Sequence, residues 1–105
     1  MNKNNTLSDI QKSVDLWINN HGGYWHPLAM LAALIEELGE LSREINSKEG
    51  FKPKKNCEPT DNIASELADT LFALICIANH YKVDLSQEIL KSIEKFDRRD
   101  NYRFE

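Results

Sequence analysis

Cysteine is scarce in this chain, with two in 105 residues: Cys57 in a polar stretch and Cys76 in an apolar one. That number and placement exclude a disulfide framework and make the cytoplasm the expected location. Also lacking is a basic excess. Lys and Arg total 13 against 17 Asp and Glu, for a net charge of −4, which argues against a general nucleic-acid binder. The longest apolar run is too short to span a bilayer, and no apolar signal region follows Met1-Asn2-Lys3-Asn4-Asn5, so no membrane partner is expected. No strand-like alternation, internal repeat or low-complexity tract appears. Gly and Pro are few and act as breakers, at Gly22-Gly23 and at Gly50, Pro53 and Pro59. What remains is an all-α chain of one domain, residues 1–105, with room for a single modest core.

Four helices follow from the pattern. Ser8 with Gln11 resembles a capping box, and Ile10, Val14, Trp17 and Ile18 repeat at helical spacing until Asn20-His21-Gly22-Gly23. Pro27 suits the first turn of a second helix running to about Asn46, with the apolar stripe Leu31, Leu34, Leu38, Leu41 and Ile45. A third runs from Asp61 or Asn62 to Tyr81, and its segment Leu71–Ala78 is apolar on nearly every side, as in a helix buried all round. Ser86 can cap a fourth, carrying Ile89, Leu90, Ile93 and Phe96. Residues 47–60, which include Lys52, Lys54 and Lys55, read as a long loop.

The chemistry lies in the carboxylates. Glu37 and Glu40 sit three apart on the second helix, and Glu66 and Asp69 three apart on the third, so each pair shares a helix face. Glu36 adds a further acid, and Glu44 continues the margin of the apolar stripe. A run of Glu on one helix is by itself an ordinary solvated face. Glu66 and Asp69 weaken that reading. They have no basic residue three or four positions away and lead straight into the apolar run, although acids also suit a helix N-terminus. Carboxylates beside a core cost several kcal/mol each, on the order of a desolvated ion, unless compensated. A hard divalent cation compensates. No His stands three residues after a Glu, and Cys/His clusters and an EF-hand loop are absent, leaving Mg²⁺ or Mn²⁺.

Other residues admit two readings each. Gly39 inside the second helix serves close packing or backbone clearance for a ligand. Asn79, ten residues beyond Asp69, could hydrogen-bond a base or cap its helix. Lys95 and Arg99, four apart, share a face as a phosphate clamp requires, or serve the helix C-terminus. Trp17, Tyr24 and Trp25 could stack on a base or anchor core and interface.

Together these residues resemble the MazG family of all-α nucleotide pyrophosphohydrolases. The family pattern Glu-x-x-Glu, then Glu-x-x-Asp on the next helix, is matched by Glu37, Glu40, Glu66 and Asp69. The match continues through Glu-Glu-Leu-Gly-Glu-Leu, Glu-Leu-Ala-Asp and Lys95-Phe96-x-Arg98-Arg99, over about residues 8–103. The start Pro27-Leu28-Ala29-Met30 and the lysine loop look like the short single-domain bacterial members. The resemblance implies a four-helix bundle completed by dimerisation, as a homodimer or a tetramer of dimers. It implies cleavage of a nucleoside triphosphate between its α and β phosphates, giving monophosphate and pyrophosphate in nucleotide-pool housekeeping. Glu37, Glu40, Glu66 and Asp69 would hold Mg²⁺, Lys95 and Arg99 would hold phosphates, and Glu37 or Glu36 would take a proton from the attacking water. Some relatives carry Lys where this chain has Asn62, so a phosphate contact is missing or the 52–55 lysines, Lys54 among them, supply it. Asn79 and Trp25 complete the expected substrate contacts. The rival readings are a narrow dUTP or dCTP pyrophosphatase and a noncatalytic helical interaction module.

Overall fold

The computed structural model describes residues 5–50 and 62–104. Among them are four helices and no strand: α1 (Leu7–Asn20), α2 (Pro27–Lys48), α3 (Ile63–His80) and α4 (Leu85–Phe104). Lys54, its neighbours Lys52 and Lys55, and Cys57 lie outside the described residues. Helix α2 packs chiefly along α3, α1 lies across α3, and α4 packs against α1.

Helix starts differ from the sequence pattern in two places, both because a polar side chain is used in tertiary structure. The cap of α1 is Thr6, whose Oγ1 accepts from the Asp9 amide at 3.1 Å, so Ser8 falls inside the first turn. Gln11, its expected partner in a capping box, is buried instead. At α4 the Asp84 carboxylate accepts from the Gln87 amide at 3.3 Å, and the Leu85 amide donates to Gln11 Oε1 at 2.9 Å. Ser86 is therefore the second residue of the helix rather than its cap. Pro27 does open α2, and His26 caps it, Nδ1 accepting from the Leu28 amide at 3.1 Å. The turn between α1 and α2 depends on Gly22 and Gly23, with φ of 101° and 85°, values that cost a side-chain-bearing residue dearly.

The core is small: Val14, Met30, Ile75 and Cys76, flanked by Leu7, Ile18, Tyr24, Ile77 and Leu85. Each fully buried aliphatic side chain contributes about 1.5–3 kcal/mol, so this cluster stabilises the junction of α1, α2 and α3 and little else. The third helix is not buried all round within one chain. Ile75, Cys76 and Ala78 are buried, whereas Leu71 and Leu74 remain 43% and 41% exposed. The α2 stripe is likewise open, with Leu31 at 46% and Leu38 at 47%. The Cα radius of gyration is 17.1 Å. A compact domain of this size has about 13 Å, so the single chain is an open arrangement with uncovered apolar faces. By length and composition alone α3, with 18 residues and a mean hydropathy of 1.2, is also apolar enough to cross a membrane. It carries Glu66 and Asp69 in its first two turns and is flanked by α1 and α2, so it serves here as the central helix.

Candidate metal centre and substrate cleft

Packing of α2 along α3 brings acids from both helices to one place. Glu37, Glu66 and Asp69 each offer a carboxylate oxygen within 4.8 Å of the others. Glu66 is the most constrained of them. Its Oε2 is shielded from water and has no hydrogen-bond partner, a costly state for a carboxylate oxygen. Burial, then the charges of Glu37, Asp69 and Glu40, hold the Glu66 carboxyl above its ordinary value. A buried oxygen without a partner, among converging carboxylates, fits a hard divalent cation, which takes oxygen ligands and retains several waters. Glu40 lies one turn beyond Glu37 on the exposed side of α2, outside the three-carboxylate group but close enough to act on Glu66 by its charge. Glu36 is exposed and also outside the group. Glu44 is buried, 4.0 Å from Arg43, and belongs to the packing of α2.

Beside the carboxylates opens a cleft of about 370 Å³, into which Glu37 and Asp69 project from its walls. Trp17 and Ile18 of α1, with His21 just past its end, form one wall, and Phe72, Ala73 and Cys76 of α3 form another. Trp25, expected as a substrate contact, lines this cleft with Tyr24. The aromatic wall is ordered by ring contacts. His21 stacks on Trp17 with centroids 4.1 Å apart, and Trp17 meets Phe72 edge-on at 5.9 Å. His21 Nδ1 lies 2.7 Å from the Trp17 carbonyl oxygen. A carbonyl oxygen can only accept, so Nδ1 carries a proton and donates it to this bond. The Tyr24 hydroxyl donates to Asp15. Burial and that bond push its pKa up to about 12, while the neighbouring Asn79 amide pulls the other way. An apolar, aromatic cleft ending in carboxylates can hold a flat ring at one end and a cation with its anionic ligand at the other.

Asn79, Lys95 and Arg99 are placed elsewhere. The Asn79 amide is committed to Gln11 by hydrogen bonds at both of its ends, and it does not line the cleft. Its side chain joins α3 to α1 and does not cap α3. Lys95 and Arg99 stand exposed on α4, each 5.0 Å from the Phe96 ring centre, and among the described residues none of α4 lines the cleft of the same chain. His21, Phe72 and Cys76 were not among the residues expected from sequence. The one signal for His21 is its spacing of four from Trp17; Phe72 and Cys76 sit in an apolar run whose inward face no local pattern marks.

Comparison with known proteins gives the same assignment. Residues 26–104 match the family model for the MazG nucleotide pyrophosphohydrolase domain. The chain is 44% identical over 100 residues to YpjD of Bacillus subtilis (strain 168), covering 94% of this chain and 90% of that protein. It superposes on the crystal structure of Bacillus subtilis YpjD with a TM-score of 0.80 at 43% identity, over 90% of this chain and 98% of that one. The crystal structure of the Bacillus-conserved MazG protein, a nucleotide pyrophosphohydrolase, gives 0.75 at 41% identity, over 90% and 93% of the two chains. With helix order, paired acids and family match in agreement, the chain belongs to the MazG nucleotide pyrophosphohydrolase family and is an enzyme of that class.

Proposed function

We propose that this enzyme is a Mg²⁺-dependent nucleoside triphosphate pyrophosphohydrolase, cleaving the α–β phosphate bond to yield a nucleoside monophosphate and pyrophosphate. The observation that carries the reading is the aromatic cleft ending at Glu37, Glu66 and Asp69, with a Glu66 oxygen buried and unpartnered. Those acids, with Glu40 beside them, would hold Mg²⁺; Mn²⁺ suits the same donors. When bound, the cation supplies charge neutralisation for the triphosphate and polarises the phosphorus under attack.

The chain's own residues do the rest. Trp17, Trp25 and Phe72 take the base by stacking, which holds the α phosphorus beside the carboxylates and excludes water from the nucleoside end. A carboxylate takes the proton of the attacking water. Glu37 is better placed for this than Glu36, because it projects into the cleft and Glu36 faces solvent. Lys95 and Arg99 stabilise the negative charge that gathers on the departing pyrophosphate. Neither residue lines the cleft of its own chain, so this role places the contact in a dimer, where α4 of one chain serves the cleft of the other. The uncovered apolar faces of α2 and α3 favour the same assembly.

The deciding experiment incubates the protein with a panel of canonical and noncanonical nucleoside triphosphates and Mg²⁺, assaying pyrophosphate and monophosphate. Release of pyrophosphate in step with monophosphate is expected. Orthophosphate with diphosphate would refute α–β cleavage, and turnover confined to dUTP or dCTP would narrow the substrate class.

A further inference from the structure

Gln11 is more than nine-tenths buried, and every polar group of its side chain is satisfied by residues far away in sequence. Its Nε2 donates to Asn79 Oδ1 and to the Val83 carbonyl oxygen, both at 2.9 Å. Its Oε1 accepts from the Leu85 amide at 2.9 Å, and the Gln11 carbonyl oxygen accepts from Asn79 Nδ2 at 2.9 Å. The α3–α4 corner is shaped to meet it. Lys82 adopts φ of 57°, and the Val83 amide turns back to the Ala78 carbonyl oxygen at 2.8 Å, leaving the Val83 carbonyl oxygen for Gln11.

The clasp joins α1 and α3, two helices whose side chains form adjoining walls of the cleft. Trp17 lies six residues along α1 from Gln11, about 9 Å, and Cys76 lies one turn before Asn79 on α3. Between clasp and cleft the buried packing of α1 on α3, among the described residues, is the small cluster around Val14, Ile75 and Cys76. Dispersion contacts lose a quarter to a half of their strength over a gap of about 0.5–1 Å, so the stacking surface tolerates little drift of one wall. Four hydrogen bonds at one joint restrict that drift more narrowly than aliphatic contacts do, because their geometry is directional.

We propose that the Gln11–Asn79 clasp sets the spacing of the α1 and α3 walls, making both positioning residues for the nucleoside end of the substrate. The proposal rests on the nucleotide reading of the cleft. It assigns the clasp to base recognition and not to the phosphate chemistry, which α2 and the start of α3 support at the other end.

The test compares Gln11→Met, which keeps the side-chain length, with Asn79→Leu, which leaves the bonds from Gln11 to Val83 and Leu85 intact. Both are assayed in the full chain below their melting temperatures. Expected are a rise in KM of about tenfold across the triphosphate panel, kcat within about twofold of wild type, and unchanged inhibition by inorganic tripolyphosphate, which lacks a base. Trp17→Ala should raise KM similarly, and Gln11→Met/Trp17→Ala should be no worse than either single variant. If Gln11→Met fails to fold, Asn79→Leu carries the same comparison. Normal KM with a lowered melting temperature, or effects that multiply with those of Trp17→Ala, would overturn the clasp's role while leaving the function in place. A wild type inactive across the panel would remove both together.

Discussion

Glu66 on α3 stands against Glu37 on α2, with oxygens inside 4.8 Å and one Glu66 oxygen sealed from solvent without a partner. Because its folded-state pKa is raised above the ordinary 4.5, the folded chain binds this proton more tightly than the unfolded chain. In the metal-free protein the Glu66 component is therefore most favourable below about pH 4.5 and is lost as pH rises through the raised value. Mg²⁺ should reverse this, raising the melting temperature at neutral pH. Glu66→Gln should remove both the pH component and the Mg²⁺ response, and Asp69→Asn should abolish Mg²⁺-dependent hydrolysis with the helical circular dichroism retained. Thermal melts with Mg²⁺ or a chelator across pH provide the check; near wild-type turnover in either variant would refute the ligand set.

Tyr24 is expected to titrate late, because burial and its bond to Asp15 raise it from 10.0 to about 12. Between those two values the unfolded chain gives up this proton before the folded chain does, so stability falls as pH climbs through that window. Tyr24→Phe should eliminate the late step and destabilise by about 1 kcal/mol, the net value of one hydrogen bond. Absorbance at 295 nm follows the titration, and a Tyr24→Phe curve identical to wild type would contradict it.

Lys95→Ala and Arg99→Ala should weaken substrate use more than folding. A charge-assisted phosphate contact is worth about 1.5–3 kcal/mol, tenfold or more in kcat/KM. Unchanged kinetics with a lower melting temperature would assign both cations to the helix end and to their packing on Phe96 instead.

Assembly is read by light scattering at micromolar concentration. A dimer or tetramer of the 12.1 kDa chain is expected. Leu71→Glu places a charge on a face that is 43% exposed in one chain, so it should be mild for a monomer and disruptive for a dimer. An active species with the mass of one chain would eliminate both the dimer and the shared site.

Gly39→Ala should raise the melting temperature. A Cβ there meets nothing within 4 Å, so close packing within the chain does not explain the glycine, and Ala gains about 1 kcal/mol in a helix interior. A lowered value would place a ligand or partner backbone against this residue.

Helix number and order and the convergence of Glu37 with Glu66 and Asp69 were legible because each rests on local periodicity and on helix geometry. The caps were less so. Ser8 with Gln11 satisfies the capping pattern, yet Gln11 makes its bonds 68 to 74 residues away, and a tertiary demand of that kind leaves no local trace. Asn79 was ambiguous for the same reason, since an amide serves a ligand and a neighbouring helix equally well. The inward faces of α3 could not be told from its outward ones, because Leu71–Ala78 is apolar throughout and periodicity has nothing to contrast. The cleft itself draws on α1, α2, α3 and the turn between α1 and α2, and beyond the acids only the aromatics Trp17, Tyr24 and Trp25 and the spacing of Trp17 and His21 hinted at it.

The Gly22–Gly23 turn has a bearing on how this enzyme can diversify. Its path into the cleft is set by two positive-φ residues that carry no side chain, and the next residues, Tyr24 and Trp25, line the cleft. Backbone course and surface chemistry are thus encoded at adjacent but separate positions. Exchanging Trp25 alters what the cleft mouth presents without redirecting the chain, whereas changes at Gly22 or Gly23 disturb the turn whatever they offer a ligand. Variation in base preference between relatives of this fold can therefore accumulate after the turn while the turn itself stays constant.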